Sequence, residues 1–106
     1  MNRGDVYWLD LNPTVGSEIK KLRPCVVVSA DPINRVRRTV IVVPLSTSAK
    51  IAPPITISVS CLDKNVAAVC DQRRSVDKRR LKKPAGMLTQ EDLELLENAL
   101  RSIMVL

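Results

Sequence analysis

Five short segments with the composition of β-strands follow one another along the chain, and one segment with helical spacing follows them. The strands are predicted at residues 5–11, 25–28, 39–43, 55–60 and 66–70. The second and third are runs of β-branched residues, which is typical of central strands, whereas 55–60 alternates apolar and polar residues like a half-exposed strand. The first places Tyr7 and Trp8 on opposite faces and is predicted to be buried on both sides. In 106 residues this order predicts one domain, residues 1–106, built on a small, partly closed barrel.

The last segment changes from strand to helical period. Its apolar residues recur three or four positions apart, as in a helix that packs on a core, at Leu93, Leu96, Leu100 and Ile103. Thr89 and Asp92 form a capping box at its start. A shorter helix is predicted after Asp77, whose carboxylate can cap residues 78–81 before Pro84 ends it. The predicted fold class is mainly β (α+β), with a C-terminal α-helix packed on the barrel.

Several residue types are rare or missing, and this excludes much chemistry. The chain has no histidine, so a Ser-His-Asp triad, a Cys-His pair and imidazole metal ligands are all excluded. Its three cysteines, an odd number without close spacing, are predicted to be buried free thiols. Tyr7 and Trp8 are its only aromatic residues, too few for a sheet that stacks bases on several rings. We therefore expect no metal and no cofactor.

The charge of the chain points to an anionic partner. Seventeen lysines and arginines against 11 acidic residues give a net charge of +6. Residues 1–88 hold 16 basic and 7 acidic residues, a net +9, and the remainder is −3. Solvated surface charge is the alternative explanation. No uncharged run approaches the ~18 residues of a membrane span, and the first residues lack the order of a signal peptide, so we expect a cytoplasmic protein that does not contact a membrane.

Three stretches carry a family resemblance: RGDVYWLDLNPTVGSEIKKLRPCVVVS, VVPLSTS and VCDQRRSVDKRRL. Together they resemble the MazF/PemK family of toxin endoribonucleases over nearly the whole chain. The resemblance implies an SH3-like barrel of the CcdB/MazF type and a homodimer. It also implies sequence-specific, metal-independent cleavage of single-stranded RNA, and inhibition by a MazE-like antitoxin.

The resemblance assigns two catalytic residues. It places the family's catalytic arginine on Arg23 and its catalytic threonine on Ser46, where serine keeps the hydroxyl group. Thr47 carries that hydroxyl instead if the register shifts by one residue. The implied reaction is attack of a ribose 2′-hydroxyl on the adjacent phosphorus, which leaves a 2′,3′-cyclic phosphate and a 5′-hydroxyl. A guanidinium is always protonated and matches phosphoryl oxygens, so Arg23 suits transition-state stabilisation, and Ser46 can add a hydrogen bond.

Further residues are expected to support catalysis or bind RNA: Ser17, Glu18, Lys20, Thr47, Gln72, Arg74 and Asp77. Glu18 is a candidate general base, with a solvated loop charge or a relayed water as the alternatives. Arg74 is a candidate phosphate clamp, and Gln72 is a candidate partner of a base edge or a loop. Asp77 is either a helix cap or a partner of Arg74. Two long loops, 12–22 and 47–54, are where we expect RNA specificity.

Two other functions compete with RNA cleavage. CcdB-like toxins share this barrel but act by binding DNA gyrase, without chemistry of their own. A catalytically silent RNA-binding regulator is the second alternative. The Arg23-Pro24 dipeptide, the hydroxyl at the end of the third strand and the basic surface are expected of an RNA-cleaving enzyme and are unnecessary for a gyrase binder.

Overall fold

A computed structural model describes residues 1–10 and 22–106 of the chain. In these residues it contains seven strands and two α-helices: β1 (Asp5–Asp10), β2 (Leu22–Val27), α1 (Asp31–Val36), β3 (Thr39–Ser46), β4 (Thr56–Cys61), β5 (Lys64–Val69), β6 (Arg74–Asp77), β7 (Leu81–Met87) and α2 (Gln90–Met104). Two single 3-10 turns, Cys70–Gln72 and Lys78–Arg80, flank β6. None of the described helices has the length and apolar character needed to span a membrane.

The strands form one antiparallel sheet that bends sharply at β3. The strand order is β4-β5-β3-β2-β1-β7, and β6 also pairs with β3. The first half of β3, residues 39–42, pairs with β6, whereas Leu45 and Ser46 pair with β5. Because the two halves of one strand have different neighbours, the sheet curls into a half-barrel. The predicted partly closed barrel with a terminal helix is confirmed.

The number of strands differs from the prediction, which lacked β6 and β7. The β6 segment is only four residues long and mostly polar, so it carries too little alternation to be recognised. The β7 segment pairs with β1 at one end of the strand order, where polar residues and proline are tolerated. Pro84 therefore lies within β7 and does not end a helix. The helix predicted after Asp77 is a 3-10 turn instead.

Side chains on the two faces of the sheet form two apolar clusters. The larger lies under α2 and includes Val26, Leu45 and Leu96. The smaller lies on the other face and includes Leu9, Val27 and Val42. Helix α2 begins as predicted, since Thr89 Oγ1 accepts a hydrogen bond from the Asp92 amide at 3.1 Å.

Strand β1 is less buried than the sequence predicted. Val6 and Leu9 are buried, whereas Tyr7 and Trp8 are half-buried. The β1–β7 pairing shifts register between Val6 and Tyr7 and again between Tyr7 and Leu9, because β7 has an extra residue at each place, whereas the pairing of β1 with β2 is regular. The three cysteines are buried and free, as predicted. Burial raises the pKa of the Cys25 thiol to about 12.

Candidate active site

The β2–β3 pairing brings Arg23 and Ser46 to the same place in the sheet. Cys25 pairs with Pro44, and Val27 with Val42. Arg23 lies two residues before Cys25 and Ser46 two residues after Pro44, so each keeps the face of that pair. Directly opposed residues of antiparallel strands project from the same face. The two predicted catalytic side chains therefore share one face at one end of the sheet.

A cleft of about 480 Å³ lies at this position. Arg23, Ser46, Gln72 and Arg74 supply its polar lining, and apolar side chains such as Leu9 form its walls. None of the described residues that line the cleft is acidic. Two guanidinium groups, a hydroxyl and an amide that line one cleft with apolar walls form a suitable site for an anion.

Strand β6 accounts for the position of Arg74 in the cleft. It pairs with β3 so that Arg74 stands opposite Val42, on the same face as Ser46. Gln72 reaches the cleft from the 3-10 turn just before β6. The sequence named Arg74 and Gln72 as candidates but gave no signal for this pairing, nor for apolar wall residues such as Val69 and Ala49.

The Ser46 hydroxyl is held by the loop that follows β3. Its Oγ accepts hydrogen bonds from the amides of Ser48 at 3.2 Å and Ala49 at 3.0 Å. Ser48 Oγ lies 3.4 Å from it. A hydroxyl has two lone pairs and one hydrogen, so these two amides occupy its acceptor capacity. Ser46 is thus arranged to donate its hydrogen, to Ser48 Oγ or to a ligand that replaces it, and it is poorly suited to accept a proton.

Thr47 occupies a different position from Ser46. Strand β3 ends at Ser46, and the exposed Thr47 lines a second hollow next to the cleft. Arg23 and Ser46 line both the cleft and that hollow. Thr47 lines the hollow and is not among the residues that line the cleft. Of the two candidate hydroxyls, the geometry favours Ser46 as the partner of Arg23.

Asp77 lies at the far end of β6, opposite Thr39 at the start of β3. Its carboxylate accepts hydrogen bonds from the backbone amide of Arg79 at 2.8 Å and from the Arg79 guanidinium at 3.0 and 3.2 Å. These bonds hold the pKa of the Asp77 carboxyl below its ordinary value. Of the two predicted roles, the structure shows the cap, with Arg79 as the charged partner. Asp77 is not brought into the cleft.

Three of the predicted supporting residues cannot be placed in the site. Ser17, Glu18 and Lys20 lie outside the described residues. They precede β2, the strand that carries Arg23.

Solved structures with this fold include two toxin complexes. A MazE–MazF complex from Deinococcus radiodurans superposes with a TM-score of 0.85 at 23% identity, covering 100% of this chain and 96% of that one. An endoribonuclease in complex with its cognate antitoxin from Mycobacterial species gives a TM-score of 0.84 at 23% identity, again over 100% and 96% of the two chains. At this identity the likeness establishes the fold.

Sequence comparison identifies the family. The endoribonuclease MazF of Staphylococcus saprophyticus is 37% identical over 105 residues, which cover 94% of this chain and 88% of that protein. The family model described as PemK-like, MazF-like toxin of type II toxin-antitoxin systems matches residues 2–104. The resemblance noted in the sequence is confirmed, and the chain belongs to the PemK-like, MazF-like family of toxins of type II toxin–antitoxin systems.

Proposed function

We propose that this protein is a sequence-specific endoribonuclease that cuts single-stranded RNA without a metal ion, with Arg23 and Ser46 as its catalytic residues. One observation carries the proposal: a guanidinium from β2 and a hydroxyl from β3 line one cleft whose described lining has no acidic residue. The 37% identical relative named as an endoribonuclease supports the same activity.

In the proposed reaction the ribose 2′-oxygen attacks the adjacent phosphorus. A 2′-oxygen–phosphorus bond forms and the phosphorus–5′-oxygen bond breaks. The leaving 5′-oxygen takes a proton from water, so the products are a 2′,3′-cyclic phosphate and a 5′-hydroxyl. Negative charge builds on the non-bridging oxygens, where Arg23 donates from its fork and Ser46 donates its hydroxyl hydrogen. Because Ser46 Oγ already accepts from two amides, the proton of the 2′-hydroxyl passes to another acceptor, either Glu18 or a water molecule.

The remaining candidates are assigned supporting roles in the same proposal. Arg74 clamps a phosphate beside the scissile one, and Gln72 binds a base edge or orients a loop, since both line the cleft with Arg23. Thr47 contacts the RNA from the neighbouring hollow. Ser17 and Lys20 are proposed to bind RNA from the loop that precedes β2.

The activity is tested with a long single-stranded RNA incubated with purified protein in excess EDTA. We expect discrete cuts with cyclic-phosphate ends, which also reveal the recognised sequence, and no cuts with a folded Arg23→Ala protein. Activity that is lost in EDTA and restored by Mg²⁺ would contradict the metal-independent mechanism. Intact RNA in every condition would favour gyrase binding or a silent RNA binder.

We also propose that the protein acts as a homodimer in the cytoplasm and is inhibited by a MazE-like antitoxin. An acidic antitoxin segment complements a cleft lined by Arg23 and Arg74, so we expect it to displace RNA from that cleft. The solved complexes of the same fold, one of them a MazE–MazF complex, support such a partner. Light scattering should give a dimer mass, and RNA and antitoxin should compete for binding. Simultaneous binding of both would contradict the shared site.

A further inference from the structure

The second hollow lies beside the cleft and shares Arg23 and Ser46 with it. Its volume is about 490 Å³. Buried Leu45 and Val66 contribute to its floor, Trp8, Leu22 and Leu62 to its walls, and Lys64 to its rim. We call it the Trp8 hollow. The described residues that line it include no acidic side chain.

The walls of the Trp8 hollow expose apolar surface to solvent. Leu22 is 48% exposed and Leu62 is 41% exposed. Trp8 is half-buried and belongs to neither apolar cluster of the sheet. Single exposed apolar residues are ordinary, but several around one concave surface are typical of a binding site.

The turn that carries Leu62 has an unusual backbone. Leu62 and Asp63 connect β4 to β5 with φ angles of 54° and 61°. A two-residue hairpin turn with two positive φ angles normally contains Asn-Gly or a similar pair, because a β-carbon is crowded in this region. Here a leucine occupies the first position and lines the Trp8 hollow. Strained, non-glycine positions of this kind concentrate at ligand-binding sites.

We propose that the Trp8 hollow binds the nucleobase next to the scissile phosphate, stacked on the indole ring of Trp8. This inference rests on the proposed RNA cleavage. Arg23 and Ser46 stand where the cleft and the hollow meet, so a phosphate held between them places a base of the same or the adjoining nucleotide at the hollow. Stacking on an aromatic ring is available to every base and requires that the base be unpaired. This explains why a substrate of this site must be single-stranded.

Lys64 at the rim adds directional contacts. Its ammonium group has three donors and no acceptor. It therefore suits the carbonyl oxygens and ring nitrogens on a base edge, or a phosphate on the next nucleotide. A peptide side chain is the rival occupant, but the continuity of the hollow with the anion-binding cleft through Arg23 and Ser46 favours a nucleotide.

Trp8 itself reports the proposed contact, because it is the single tryptophan of the chain. The probe is an RNA that spans a mapped cut site and carries a 2′-deoxyribose at the cleaved position, which removes the nucleophile. We expect this RNA to quench Trp8 fluorescence and to shield it from acrylamide. Two further RNAs each carry one abasic residue beside the scissile phosphate, the first on its 5′ side and the second on its 3′ side. We expect one of these two RNAs to lose most of the quenching. Equal quenching by all three RNAs would overturn the inference, as would quenching only by a protein partner.

Two variants at Trp8 separate stacking from simple burial. Trp8→Phe keeps an aromatic face, and Trp8→Leu keeps apolar bulk without one. We expect Trp8→Leu to raise KM for RNA about tenfold or more, the scale of one base–aromatic stack, while kcat changes little and Trp8→Phe stays near the wild type. Leu95→Ala, which removes a 53% exposed apolar side chain on α2, is the matched control.

The outcomes distinguish this inference from the function on which it rests. If wild-type protein leaves RNA intact, RNA cleavage itself fails. If wild-type protein and a folded Trp8→Leu variant cleave with equal KM, only the nucleobase site is overturned. If Trp8→Leu does not fold, the abasic-RNA titration of wild-type protein decides the question.

Discussion

Replacing Arg23 with alanine is expected to slow RNA cleavage about a thousandfold and to leave the fold intact. Removal of one preorganised donor to a developing oxyanion costs about 10²–10³ in rate, and arginines that act on a transferring phosphoryl group reach larger values. Arg23 is exposed at the start of β2, so its loss removes no core packing. The measurement is the single-turnover rate on an RNA that contains one cut site, with circular dichroism as the check on folding.

Two matched variants isolate the role of the guanidinium. Arg35→Ala removes an equal charge from the exposed surface of α1 and should change the rate less than about twofold at moderate salt. Arg23→Lys keeps the charge without the planar fork and should recover only part of the activity. Cleavage near the wild-type rate by folded Arg23→Ala would contradict the assignment of Arg23 as a catalytic residue.

Replacing Ser46 with alanine is expected to lower the cleavage rate about a hundredfold. The substitution removes the hydrogen that we assign to the phosphoryl oxygen, a change of the same kind as loss of an oxyanion donor. It also removes Ser46 Oγ as the acceptor of hydrogen bonds from the Ser48 and Ala49 amides. These two bonds connect the end of β3 to the loop that follows it. Single-turnover rates and KM measured together separate the two effects, because loss of a transition-state donor lowers kcat without a matching rise in KM.

Variants at positions 46 and 47 test which hydroxyl acts. Ser46→Thr restores the residue expected of the family and should retain most of the activity. Thr47→Ala removes an exposed side chain outside the cleft and should reduce the rate by only a few-fold. A large loss in Thr47→Ala combined with an active Ser46→Ala protein would move the catalytic hydroxyl to Thr47.

The parts of the fold that the sequence predicted are those in which local pattern and tertiary contacts agree. The central strands β2 and β3 carry β-branched runs, and α2 carries both a cap and an apolar stripe. These signals are local, and the structure confirms them. Arg23 and Ser46 were named from the resemblance to the MazF/PemK family, so the pair could be proposed before any strand pairing was known.

The remaining features could not be predicted, because they depend on tertiary contacts that a local sequence pattern does not contain. The strand character of β6 and β7 comes from pairing with β3 and β1 and not from composition. The first strand was predicted to be buried on both sides, but Tyr7 and Trp8 are only half-buried, which depends on tertiary packing that the sequence pattern does not contain. The Trp8 hollow depends on the turn at Leu62, a residue whose type gives no indication of a positive φ angle.

The three neighbours of β3 also bear on when the protein becomes active. The cleft needs Arg23 from β2, Ser46 from β3 and Arg74 from β6, and β1 must pair with β7 near the end of the sheet. Such non-local pairings form slowly and cooperatively. During synthesis, the cleft lacks Arg74 until β6 has emerged from the ribosome, even if the earlier strands have already formed. The topology thus allows a complete cleft only after most of the chain has left the ribosome.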